Sequence, residues 1–117
     1  MLPRNLIAFL ILQLALVAVN TLAAAPPKML GFDDNSCRAW VESREDPELR
    51  GAYLAWARGF LSGHNYANQK QQVSEISRGT VEMFVERFCR DKPTAQFTDA
   101  VYRLSDQYSG RRTPITR

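Results

Sequence analysis

An all-α fold is what this 117-residue sequence predicts, on three observations. Apolar residues recur at steps of three and four in separate stretches, as on one face of a helix. Those stretches are bounded by residues that start or stop helices. No stretch of useful length alternates apolar and polar side chains as a half-buried strand does. With one pair of cysteines, Cys37 and Cys89, the expectation is a small four-helix domain stapled by one disulfide, behind a cleaved signal peptide.

The first segment is set apart by composition. Met1 to Asn5 carry one charge, Arg4, and Leu6 to Val19 follow as an apolar run with only Gln13 polar. Asn20 to Ala25 are polar and then small. A basic start, an apolar middle and a small-residue end form a secretory signal. Thr21-Leu22-Ala23 puts small residues at the −3 and −1 positions, which favours cleavage after Ala23 over Ala24 or Ala25. The alternative is an uncleaved inner-membrane anchor over residues 6–25, about the 20 residues a spanning helix needs. Against it, the apolar run stops at Val19 with no basic flank behind it. Residues 1–23 are therefore taken as signal, 24–34 as a flexible or loosely docked leader, 35–110 as the helical domain and 111–117 as a disordered basic tail.

The first helix is expected from Asn35 to about Arg44, with Asp34 or Asn35 as N-cap and Cys37, Trp40 and Val41 at helical spacing. The second opens on Asp46-Pro47-Glu48, which supplies a cap, a proline at the first helical position and an acid in the first turn. Leu49, Tyr53, Trp56, Phe60 and Ala67 would form its apolar face. A second stripe holds Ala52, Ala55, Gly59 and Gly63. Each interior glycine costs a helix about 1 kcal/mol relative to alanine. Close approach of a neighbouring helix, or of a partner lying in that groove, would account for them. Asn65 to Gly79 is a long polar connection, docked through Val73 and Ile76. The third helix runs from Thr80 to about Asp91 with Val81, Phe84, Val85, Phe88 and Cys89 along its apolar side, and Pro93 ends it. The fourth opens near Thr94, presents Phe97, Val101, Leu104 and Tyr108, and stops at Gly110.

Export implies an oxidising compartment, the periplasm, where an even cysteine count reads as a bridge. Joining Cys37 to Cys89 closes a loop of about 53 residues, worth roughly 4 kcal/mol in the chain-entropy description. That is a large share of the stability of so short a domain.

Removal of residues 1–23 takes away one of the 15 basic residues, leaving 14 against 12 acidic ones and a net charge of +2. So weak a field argues against nucleic acid. The single histidine, His64, and two bridged cysteines cannot supply the four ligands of a usual zinc site. Ser62 and His64 are two apart on a helix and do not face each other. A histidine in the last turn is explained by the helix's free carbonyls. Glu42, Glu45, Asp46 and Glu48 are interleaved with Arg38, Arg44 and Arg50, which reads as a solvated, salt-bridged turn. No metal, cofactor, small-molecule or catalytic site is expected, and the protein is read as no enzyme.

What remains is protein binding, with Trp40, Tyr53, Trp56, Gly59, Phe60 and Gly63 as candidate contacts for another protein or a second copy. Cys37-x-x-Trp40, Tyr53-Leu54-x-Trp56-x-x-Gly59-Phe60-Leu61-Ser62-Gly63, Phe88-Cys89-x-x-x-Pro93 and Ala100-Val101 together resemble the HdeA/HdeB type of small periplasmic helical proteins. The likeness spans roughly Ser36 to Leu104. It implies an acid-stress chaperone whose clients are many and whose two cysteines bridge helices. The Gln/Asn-rich connection and the basic tail depart from that pattern. A second resemblance, through Val85-x-x-Phe88-x-x-x-x-Pro93 leading into the last helix, is to the Tai/Rap group of periplasmic immunity proteins. It implies one partner, a secreted toxin.

Overall fold

The computed structural model describes residues 28–111. The signal segment, the anchor alternative over 6–25 and tail residues 112–117 lie outside the described residues. Four helices follow in order: α1, Cys37–Glu42; α2, Pro47–Ala67; α3, Arg78–Asp91; and α4, Phe97–Tyr108. A 3-10 turn, Ser43–Glu45, joins α1 to α2. Among the described residues there is no strand beyond one isolated bridge, Ser36 to Gln96.

Helix α1 is shorter than its pattern suggested, and its cap is Ser36, whose hydroxyl accepts from Ala39 N at 3.0 Å. Asp34 and Asn35 are committed elsewhere. The Asp34 carboxylate accepts from Ser36 N at 2.9 Å. The Asn35 amide donates to Gln96 Oε1 and Thr98 Oγ1 at 2.7 and 2.8 Å and accepts from Thr98 N at 3.2 Å. Cys37 N donates to the Ala95 carbonyl and Phe97 N to that of Asn35, so the starts of α1 and α4 are stitched together.

Helix α2 starts as expected, with Pro47 in its first turn and the Asp46 carboxylate accepting from Leu49 N at 3.1 Å. Its inner face is rotated from the expected one. Arg50, Tyr53, Leu54, Ala57, Leu61 and His64 are buried. Of the expected stripe only Tyr53 is core: Leu49 is 44% exposed, Ala67 is exposed, and Trp56 and Phe60 are half-buried. An arginine occupies the first inward position because α3 supplies its counter-charges, which no apolar periodicity reveals.

The connection is shorter than 65–79, because α2 continues to Ala67 and α3 begins at Arg78, capped by Ser77 through Thr80 N at 3.1 Å. Docking through Val73 and Ile76 is present, with Val73 buried and Ile76 half-buried. The Asn65 amide clamps Val73, donating to its carbonyl at 2.9 Å and accepting from its N–H at 2.7 Å. Val81, Val85 and Cys89 of α3 are buried, while Phe84 and Phe88 are half-buried. Helix α4 begins at Phe97, not near Thr94, because Asp99 reaches back to accept from Gln96 N at 3.1 Å. It ends before Gly110, whose φ of +69° is the left-handed conformation a glycine stop favours. Cys37 and Cys89 are bonded, joining α1 to α3 across 52 positions of sequence. Trp40, Phe97, Leu54, Leu104, Val81, Val85 and Val101 pack around the bridge as the core.

Candidate protein-binding site

The candidate contacts divide between the interior and the surface. Trp40 is fully buried and Tyr53 is 3% exposed, so both are core in this state and not surface contacts. Trp56 and Phe60 are half-buried and stack on each other, centroids 5.5 Å apart. Gly59 and Gly63 are exposed.

The rings form one continuous cluster centred on Phe97. Trp40 stacks on Phe97 at 5.4 Å, Tyr53 meets Phe97 edge-on at 4.9 Å, and Trp56 does so at 6.0 Å. Phe60 reaches Tyr102 at 5.3 Å and carries the cluster to the surface between α2 and α4. Such pairs contribute about 0.5–1.5 kcal/mol each beyond the area they bury. Phe97 was legible as core but not as the hub, since its neighbours come from α1, α2 and the leader.

Among the described residues the small stripe is not a helix-packing seam. Ala52, Ala55, Gly59 and Gly63 are all exposed, and a Cβ on either Gly59 or Gly63 would meet nothing within 4 Å.

Sequence reasoning missed what Arg50 does. Its guanidinium lies 3.7 Å over the Trp40 ring, a desolvated cation–π contact. Nε donates to Ser43 Oγ at 2.8 Å and Nη2 to the Trp40 carbonyl at 2.6 Å. Nη1 donates to Glu86 and Glu82 at 2.8 and 3.2 Å. Arg44 holds the other Glu86 oxygen at 2.9 Å. The acidic turn is therefore not closed on itself: only Arg38–Glu42 pairs locally, at 2.9 Å, while Arg44 and Arg50 turn to α3. Burial pushes the Glu86 carboxyl up, but hydrogen bonds from Arg50 and Arg44, with their charges, outweigh it and hold the group below the usual carboxylate range. A buried arginine aligned with carboxylates one helix away has one sequence signal, the Glu82/Glu86 spacing of four on α3.

His64 is 7% exposed and lies against Arg111, with Nε2 accepting from Arg111 Nε at 3.3 Å. Its ring is thus held by a side chain, not by free helix carbonyls as expected. Ser62 donates to the Arg58 carbonyl and forms no pair with His64. Among the described residues no group of three or more histidine, cysteine or acidic side chains is placed to hold a metal ion. No described helix is long and apolar enough to cross a membrane.

No protein-family model matches this chain, and no curated protein or solved structure is significantly similar to it.

Proposed function

We propose that this chain is a non-enzymatic, periplasmic protein-binding module of HdeA/HdeB-like character, an acid-stress chaperone that holds partly unfolded clients when the pH falls. The observation that carries the reading is the Arg50 site. The largest core side chain, Trp40, is capped by a buried cation whose two neutralising groups, Glu82 and Glu86, are carboxylates on another helix. Protonating them leaves a buried charge without counter-ions, which costs a fold several kcal/mol. Acid thus loosens α3 from α1 and α2 beside Trp40, at the edge of the aromatic cluster, while the Cys37–Cys89 bridge keeps α1 and α3 tethered. The released surface, with Trp40, Tyr53, Trp56 and Phe60, is what a client would meet.

One feature favours a second reading, a toxin-binding immunity protein. Gly59 and Gly63 lie exposed beside the Trp56–Phe60 stack in the folded chain, a face that needs no unfolding to receive a single folded partner. A pull-down with the mature chain from its native periplasm separates the two. Broad retention of many proteins at about pH 2–3, with none held at pH 7, is the chaperone outcome. One stoichiometric partner at pH 7 sinks it in favour of immunity.

A further inference from the structure

The leader supplies a molecule already seated on the aromatic cluster. Phe32 stacks on Tyr53 with centroids 4.9 Å apart, tilts against Trp56 at 5.0 Å and meets the edge of Phe97 at 5.3 Å. On either side of that ring a backbone carbonyl is held by an aromatic donor. Trp56 Nε1 donates to the Leu30 carbonyl at 2.7 Å, and the Tyr53 hydroxyl donates to that of Asp34. Gly31 has φ +113°, and a Cβ there would lie 3.0 Å from Trp56 Cδ1 and 3.3 Å from Nε1, so the residue before the ring must be glycine. Of the other leader side chains, Leu30 is 79% exposed, Asp33 is exposed, the Asp34 carboxylate turns away to Ser36 N, and Met29 is half-buried.

This is how a cleft holds a peptide: main-chain carbonyls fixed at two points, one anchoring ring in a pocket, and a space limit at one neighbouring position. The ring and the glycine are the two demands these contacts specify, and an extended segment with a glycine–aromatic pair meets them. The leader's own attachment is separate from the cleft, since from Asn35 onward the chain is pinned to α4.

We infer that the cleft of Tyr53, Trp56 and Phe97 is a binding site for extended glycine–aromatic peptide segments, filled here in cis by Gly31-Phe32, so that the leader is a built-in competitor. This deepens the protein-binding reading above and rests on it. A tethered occupant acts at an effective concentration in the millimolar range. The cleft's affinity for a free segment is lowered by the fraction of time the leader fills it.

The test uses the mature chain at pH 7 and a labelled synthetic peptide of residues 28–35, with fluorescence anisotropy as readout. Two variants open the cleft by different routes. Phe32→Ala removes the anchor, and Gly31→Val pries the leader from Trp56 without deleting any ring. Each is expected to bind the peptide at least about tenfold more tightly than the unaltered chain. A peptide with alanine in place of its phenylalanine is expected to bind neither. The inference is overturned if both variants keep their helical signal yet bind no better than the parent, or if the alanine peptide binds equally well. It is also overturned if both variants unfold, because Phe32 is then a core residue and not an occupant. If peptide binding fails while the mature chain still retains proteins in the pull-down, only the cleft assignment falls. Failure of the pull-down at both pH values removes the protein-binding reading itself.

Discussion

Arg50 carries a permanent charge into a site where 7% of its side chain meets solvent, and each of its three nitrogens donates a hydrogen bond. Glu86 is the partner on which the fold acts most directly, through hydrogen bonds from both Arg50 and Arg44. Its carboxyl is held below the ordinary value of about 4.3. A group whose pKa is depressed by folding contributes stability that is complete above that ordinary value. The contribution is lost as pH falls through the lower, folded value. Glu86→Gln should therefore lower stability at pH 7 by about 1–3 kcal/mol, leaving Arg50 with Glu82 alone. As the pH drops below about 4 the difference from the parent should shrink, because the parent loses the same interaction. Melting curves of the two proteins across pH 7 to 3 measure this. A penalty that stays constant across that range would contradict the assignment.

At the scale of elements, the glycines of α2 pose the clearest question. Gly59 and Gly63 weaken the helix, and neither faces a neighbour among the described residues. Replacing each with alanine is expected to stabilise the domain by about 0.5–1 kcal/mol, as for a glycine in an exposed helix. A Gly59→Leu chain should keep its helical signal and lose retention of any partner that uses this face. If either alanine variant melts lower than the parent, the stripe packs against something within the chain and the face is not free.

Much of the helical frame was legible because it is written locally. Asp46-Pro47 starts α2, Pro93 follows the end of α3, Gly110 ends α4, and Val81, Val85, Val101 and Leu104 keep helical spacing. What local pattern could not give were the places where long-range hydrogen bonds decide. Asn35 looks like a cap but is drawn to α4, which passes the role to Ser36. The inward face of α2 was placed on Leu49, Trp56 and Ala67, because an arginine counts as polar until Glu82 and Glu86 are known to lie opposite. The leader, expected to be loose, makes its contacts through Phe32, and one aromatic beside a glycine carries no period to detect. Of the candidate binding residues, the four rings lie in one cluster. The pattern could not tell that Trp40 and Tyr53 lie inside and Trp56 and Phe60 at the boundary.

For the whole molecule the controlling quantity is charge. With residues 1–23 removed the chain carries +2 near neutrality, from 14 basic and 12 acidic side chains. Carboxylates titrate near pH 4, so by about pH 2 nearly all are neutral and the 14 lysine and arginine side chains leave about +14. Repulsion on that scale, together with the loss of the Arg50 counter-ions, favours an expanded state. The bridge between α1 and α3 limits how far it opens, since it removes chain entropy from every looser form. Acid expansion alone is common to many small proteins of such composition, so expansion is not the discriminating quantity. Protection of another protein is. The direct measurement is light scattering from an unrelated acid-labile client brought to about pH 2–3 and then neutralised, with and without the mature chain. The account predicts that scattering is suppressed in acid at modest molar excess and that the client is released in soluble form on return to pH 7. Undiminished aggregation at several-fold excess would contradict the chaperone function and leave the single-partner reading in its place.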